Sequence, residues 1–266
     1  MTFLQRCKAV KIKVSWLWIP YLLILPFLPV VKIIFYIFLM LSIHELAHVL
    51  CALCFGYAIE KITIYPFGLA AGISDIGFGN LQKETIVIAA GPLMHVWFPF
   101  MFRFFFHMNW ISSAFCSYLI MINASIMMFN LLPIYPLDGG RLLQSFFHCF
   151  LRFAIAQKAT FVCSVFMMGA VLYMHMLSGF SGILVLGFLL MQILVAFKER
   201  EYTKMRFLHY RYQHGCKYPL IMNEKDDLYR GRYNVVHFKK GWLSEENWLK
   251  LIFKGNIDAK EKHRHL

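Results

Sequence analysis

Long apolar runs broken by short polar connections dominate this chain. A helix needs about 20 apolar residues to cross a bilayer. Six runs come close to that, roughly Val14 to Val31, Ile33 to Phe55, Glu84 to Phe106, Ile111 to Leu132, Ala159 to Leu177 and Gly179 to Phe197. The last two meet at Ser178-Gly179, which is short enough for a helical hairpin. Between the fourth and fifth runs, Leu142 to Ile155 is moderately apolar, interrupted by Arg152, and reads as interfacial. Residues 57–80 change period. Glu60 to Tyr65 alternates as a short strand does, Pro66-Phe67-Gly68 reads as a turn, and Ala70 to Ser74 offers a returning strand. Non-helical backbone at membrane depth is tolerated only where protein or a water-filled cavity covers it. A hairpin dipping into the membrane domain therefore competes with an ordinary surface loop.

The pattern changes again after Lys198. Tyr218 to Met222 and Tyr233 to Phe238 read as short strands, and Ser244 to Ile252 as a helix with an N-cap serine and acids in its first turn. The expected fold class is an all-α polytopic membrane protein of about six transmembrane helices, with a membrane-embedded β-hairpin and a small α+β cytosolic tail. Residues 1–200 form the membrane domain and 201–266 the tail.

Composition agrees. The chain is 59% hydrophobic and 15% charged, against roughly 45–50% and 25% in soluble domains, so it is an integral membrane protein. The net charge of +13 does not imply nucleic acid, because the basic residues flank the runs and no nucleic-acid motif accompanies them. In that position they set topology and attract anionic headgroups. Arg6, Lys8, Lys11 and Lys13 precede the first run, and Lys198, Arg200 and Lys204 follow the last. Both termini are therefore expected in the cytoplasm. No small-residue cleavage site follows the first run, which reads as an uncleaved span. The seven cysteines are odd in number and scattered in apolar runs, which argues against a disulfide framework. Cys51 and Cys54 read as buried thiols.

The candidate chemistry sits inside the second run. His44-Glu45-Leu46-Ala47-His48 places two imidazoles at i and i+4 on one helical face, the pattern that binds zinc and activates water in hydrolases. Three ionisable residues within five positions of a span make a functional site the default expectation. The competing reading is a chance match facing a neighbouring helix. A catalytic zinc usually has three protein ligands. Of the acids in residues 1–200, Asp138 stands out in Asn130-Leu131-Leu132-Pro133-Ile134-Tyr135-Pro136-Leu137-Asp138-Gly139-Gly140. The prolines break a helix and the glycines permit close approach. A plain turn explains the same residues equally well, and His95 competes for the ligand role.

The two motifs in this order resemble the site-2 protease family of intramembrane zinc metalloproteases. Ala89-Ala90-Gly91-Pro92 resembles a further family element, Gly-Pro at the start of a span, usually followed by Asn where this chain has His95. The resemblance implies zinc held by His44, His48 and Asp138, and Glu45 as general base. It places Asn130 near substrate, and Ile64 on the hairpin and Pro136 before the aspartate are further candidates for substrate contact. Residues 30–145 carry the likeness. Six spans and a short tail are similar to the sporulation subgroup, whose members process a pro-sigma factor of the sigma-K type and end in a nucleotide-sensing CBS domain. Here the tail is short for a whole CBS unit, so nucleotide binding is not expected. The implied partners are a membrane-associated protein substrate and membrane inhibitor proteins. The reading from another class is a non-catalytic scaffold or metal transporter that keeps the fold. Glu45 argues against a scaffold, and the apolar character of the spans argues against a transporter. A membrane-anchored protease with a cytosolic site would carry its motif outside the spans.

Overall fold

The computed structural model describes residues 11–16, 18, 19, 23, 31–66, 68–174, 179–215, 220–223, 227–238 and 241–262. These residues pack into two compact units. The first draws on Met1–Ile76, Gln82–Pro133 and Leu137–Leu142, and the second on Gly77–Leu81, Ile134–Pro136 and Leu143–Leu266.

The first unit is built on β1 (Lys11–Val14), α1 (Val31–Cys54), β2 (Ile59–Tyr65), β3 (Gly68–Ile73), α2 (Leu81–His107, apart from its first residue), α3 (Ser113–Leu131) and the start of α4 (Asp138–Phe150). The expected hairpin forms, with β2 antiparallel to β3 and Ile62 opposite Ala71. Phe67 of its turn lies outside the described residues. β1 adds a strand the sequence reading did not anticipate. It runs parallel to β2 with Lys11 opposite Lys61, so β2 is the central strand and β3 an edge. The alternation Lys11-Ile12-Lys13-Val14 was its only local signal, and the basic residues read more naturally as a topology flank.

β3 lies along α1. Met40, Phe98, Phe102, Cys116 and Leu119 join α1, α2 and α3 in one apolar cluster. Val49, Ala52, Leu53, Ile59 and Val87 join α1, β2 and α2 in another. The Ser112 Oγ accepts the Phe115 N–H at 3.3 Å and caps α3. In α3 the buried positions include Asn123, whereas Tyr118, Met121 and Met128 are exposed. Exposed large apolar faces of this kind suit a lipid solvent and would be a liability in water.

The second unit contains the rest of α4, α5 (Phe153–Tyr173), α6 (Phe180–Lys198), α7 (Arg200–His214), β4 (Leu220–Asn223), β5 (Tyr233–Phe238), β6 (Gly241–Ser244) and α8 (Glu245–Lys262). β5 is central, parallel to β4 and antiparallel to β6. β6 was not expected from sequence. The Ser244 Oγ accepts the Asn247 N–H at 3.4 Å, as its N-cap reading predicts. Phe78, Phe153, Phe207, Leu228, Val236 and Trp248 form the core. The Phe153 and Phe207 rings are stacked with centroids 4.1 Å apart.

A buried ion pair ties α7 to α8. The Arg211 Nε donates to Glu245 Oε1 at 2.6 Å, and its Nη2 donates to Oε2 at 2.7 Å. Asn234 donates to the same Oε2 from its backbone N at 2.8 Å and from Nδ2 at 3.0 Å. Asp227 accepts the Ala154 N–H in the first turn of α5. Burial pushes its carboxyl pKa up, against the pull of Lys204, the Ala154 amide and Arg152.

Among the described residues, α1, α2, α3 and α5 are long and apolar enough to cross a membrane. A fifth span results if α6 and α7, bent by 56° at their junction, count as one. Most of the expected first run, Val14 to Val31, lies outside the described residues, which include only 14–16, 18, 19, 23 and 31 of it, and Ser178 lies outside them too. Leu142 to Ile155 is divided by Leu151 and Arg152 between α4 and the start of α5.

Candidate metal centre

α1 carries His44 and His48 one turn apart on its buried face, at 6% and 7% exposure, with Glu45 half-buried beside them. The third donor comes from a break in the chain. α3 stops at Leu131, Pro133 and Pro136 occupy the gap, and Asp138 opens α4. Neither proline can extend the α3 hydrogen-bond ladder, and the residue before each is pushed toward extended backbone. Gly139 is required here, because a Cβ would collide with the Leu131 carbonyl.

His44 Nε2 lies 3.0 Å from Asp138 Oδ2, His48 Nε2 lies 3.4 Å from the same oxygen, and the two nitrogens are 3.1 Å apart. Donors about 2.0–2.1 Å from a tetrahedral zinc stand about 3.3 Å apart. The hydrogen-bond network fixes what these atoms carry. His48 Nδ1 lies 2.8 Å from the Val87 carbonyl and must donate to it, so in the neutral ring that binds a metal its Nε2 carries the lone pair. His44 Nδ1 lies 3.1 Å from His95 Nε2. His95 Nδ1 lies 2.7 Å from Asn123 Oδ1, and Asn123 Nδ2 donates to the His95 carbonyl at 2.9 Å. That second bond fixes the amide orientation, so His95 Nδ1 bears the proton, its Nε2 accepts, and His44 Nδ1 donates. With both rings neutral, two nitrogen lone pairs and a carboxylate oxygen converge, and Asp138 Oδ2 is buried without a hydrogen-bond donor. A cation resolves that arrangement, and these three residues form the one group of metal-capable side chains among the described residues.

Gly91 closes one side. A Cβ there would overlap His48 Nε2 and come within 2.6 Å of His44 Nε2. Gly91-Pro92 therefore sits against the imidazoles from the interior of α2, and not at the start of a span as expected. On the other side the Ala71 N–H of β3 donates to Glu45 Oε1 at 2.8 Å.

His95 lies outside the metal-capable group, with its Nε2 3.1 Å from His44 Nδ1. Ile64 lies in the central strand, where its carbonyl accepts the Ser15 amide and the Trp18 indole N–H. Asn130 and Pro136 are half-buried near the end of α3 and in the break. The sequence reading missed Asn123, the Val87 carbonyl and the Ala71 amide. Asn123 had a signal, as a rare amide inside an apolar run, whereas the two backbone groups had none.

The model of peptidase family M50 matches residues 107–175, which include Asp138 but not the histidine pair. Stage IV sporulation protein FB of Bacillus subtilis is 30% identical over 218 residues, spanning 79% of this chain and 75% of that protein. The chain belongs to peptidase family M50, the site-2 proteases. A zinc metalloprotease of Methanocaldococcus jannaschii is 31% identical over 112 residues, or 41% of this chain and 32% of that one. The solved structure of a site-2 protease from the same organism matches with a TM-score of 0.50 at 23% identity, covering 68% of this chain and 88% of that one. That likeness concerns the fold. As an M50 member the protein is a multi-pass membrane metalloprotease, and its cofactor is zinc.

Proposed function

We propose that this M50 protease hydrolyses a peptide bond of a membrane-associated protein within or beside the bilayer, with His44, His48 and Asp138 holding zinc and Glu45 as general base. The observation that supports this best is the convergence of the three donors, whose ligand atoms all lie within 4.8 Å of one another, with Glu45 next to the first of them. When bound, zinc lowers the pKa of water and stabilises negative charge on the substrate carbonyl oxygen. Glu45 takes the proton from the attacking water and returns it to the leaving amine. One of its oxygens is held by the Ala71 amide, which fixes the carboxylate's orientation.

A helical substrate hides its peptide bonds and must be extended first. The outer strand β3 supplies an edge on which an extended segment can add, and the Ala71–Glu45 bond sets that edge beside the base. Asn130, Ile64 and Pro136 are the candidate substrate contacts. The relationship to a sporulation protein supports a pro-sigma factor as substrate, activated during sporulation. The basic flanks support cytoplasmic termini. Six spans, a hairpin at membrane depth and a tail from residue 201 that docks substrate complete the reading. A scaffold would have no use for Glu45, and a transporter would need polar residues spaced through several spans.

Glu45→Gln tests the reading. Cleavage of a co-expressed pro-sigma substrate should fall by about 10²–10⁴-fold while the purified protein keeps its zinc. Normal cleavage by this variant overturns the mechanism.

A further inference from the structure

α2 contains Pro99 in its interior. Proline has no N–H, so the carbonyl four residues earlier loses its helical partner. That carbonyl belongs to His95. At mid-span an unpaired carbonyl is costly, and here the Asn123 Nδ2 from α3 fills it at 2.9 Å. The same amide accepts the His95 Nδ1–H at 2.7 Å through Oδ1. One side chain thus grips backbone and ring of one residue, which fixes the rotation of the His95 imidazole as well as its tautomer. His95 is 1% exposed and Asn123 is 3% exposed, so neither has water as an alternative partner.

The gripped ring presents a bare Nε2 to His44 Nδ1 at 3.1 Å. The two ring centroids are 5.1 Å apart and the planes are inclined by 52°. Accepting that N–H does two things to His44. It keeps the proton on Nδ1 and so leaves Nε2 free as a donor, and it increases the basicity of that donor. His48 receives the equivalent support from a backbone carbonyl, whereas His44 receives it from another side chain.

We infer that His95 and Asn123 are positioning residues for the metal centre, a relay from α3 through α2 that sets the tautomer and orientation of His44 as a zinc ligand. The inference rests on the reading of His44 as a ligand. It concerns a stretch where this chain carries a histidine, His95, and where an asparagine on the neighbouring helix, Asn123, supports it.

The experiment uses the full chain purified in detergent, reading zinc affinity by chelator competition and the visible spectrum of the cobalt-substituted protein. His44→Ala comes first: if it retains stoichiometric zinc at wild-type affinity, the ligand reading itself fails. With His44 established, His95→Phe should weaken zinc by about 10–100-fold, the usual cost of losing such a partner, and should alter the cobalt spectrum. His95→Gln restores an acceptor for His44 Nδ1 and should recover most of the affinity. Asn123→Leu should weaken zinc in the wild-type background and add nothing further in His95→Phe, because one relay is already cut. Metal-free melting temperatures separate this from a folding defect. If His95→Phe does not fold, Asn123→Leu and His95→Gln decide. Wild-type zinc affinity and cobalt spectrum in folded His95→Phe or Asn123→Leu, or additive losses in the double variant, overturn the proposal.

Discussion

Two carboxylates with buried oxygens, Asp138 and Glu245, show how differently a protein can treat the same group. Glu245 is 2% exposed and faces four donors at 2.6 to 3.0 Å, two from Arg211 and two from Asn234. Its hydrogen-bonding capacity is filled from within the protein. Asp138 Oδ2 is also buried, but it has no hydrogen-bond donor and faces two imidazole nitrogens, at 3.0 and 3.4 Å, that bear lone pairs when the rings are neutral. A buried charge that is fully paired holds elements together. One surrounded by lone pairs is arranged for something that is not protein.

The sharpest way to break that comparison is to remove each carboxylate. Asp138→Ala should empty the site of zinc and reduce cleavage by more than the ~10–100-fold that follows loss of an outer partner, with the metal-free protein still folded. Zinc bound at wild-type affinity in this variant would show that the ligand set has been misassigned. Glu245→Ala should do the opposite. It takes the carboxylate from a buried guanidinium that still donates to the Arg230 and Arg232 carbonyls; breaking a buried ion pair typically costs about 3–5 kcal/mol, so the second unit should melt or be proteolysed early while zinc content is unchanged. An unaltered melting profile would show the pair to be dispensable.

Chelation sharpens the contrast. A ligand present at about 100 times its dissociation constant stabilises the folded state by ~2.7 kcal/mol. A chelator should therefore lower the melting temperature of the wild type and of Glu245→Ala, and leave that of Asp138→Ala where it was. Gly91→Ala is subtler. Its methyl group presses on both imidazoles, and overpacking of this kind costs about 1–3 kcal/mol, so weaker zinc binding is expected with an intact second unit. Wild-type affinity in this variant would mean that the rings can give way.

The smallest effect concerns a third carboxylate. Burial raises the pKa of Asp227 above its unfolded value. Its contribution to stability is then fully present below about pH 3.9, the unfolded value, and is lost as pH rises through the folded one. Asp227→Asn keeps an acceptor for Ala154 but has no proton to lose. The wild type should lose stability relative to this variant across that window, as unfolding at a series of pH values would show, and parallel profiles would contradict the assignment.

What the sequence made legible follows from how local each signal was. His44 and His48 share a face by helical spacing alone. The break before Asp138 was announced by Pro133 and Pro136, although only the fold brings that residue to a site about 90 positions earlier in the chain. The β2–β3 hairpin was readable from alternation and a turn. β1 was not, because parallel pairing between residue 11 and residue 61 leaves no local trace. The Arg211–Glu245 pair escaped for the same reason, since its members look like ordinary charges in a basic tail. His95 was noticed, but as a rival to Asp138. Its actual place behind His44 depends on Asn123, which comes from another helix.

Pro99 bears on how the chain is inserted. A helix entering lipid alone must satisfy its own backbone, and α2 cannot, because Pro99 leaves the His95 carbonyl open at mid-span. Its partner is the side chain of the next helix, so α2 and α3 are better suited to enter as a pair than one after the other. Asn123 is likewise a polar side chain in an apolar helix until it meets His95. Each helix thus carries a defect that only the other repairs, and their association is written into the insertion step before any metal is available to organise the site.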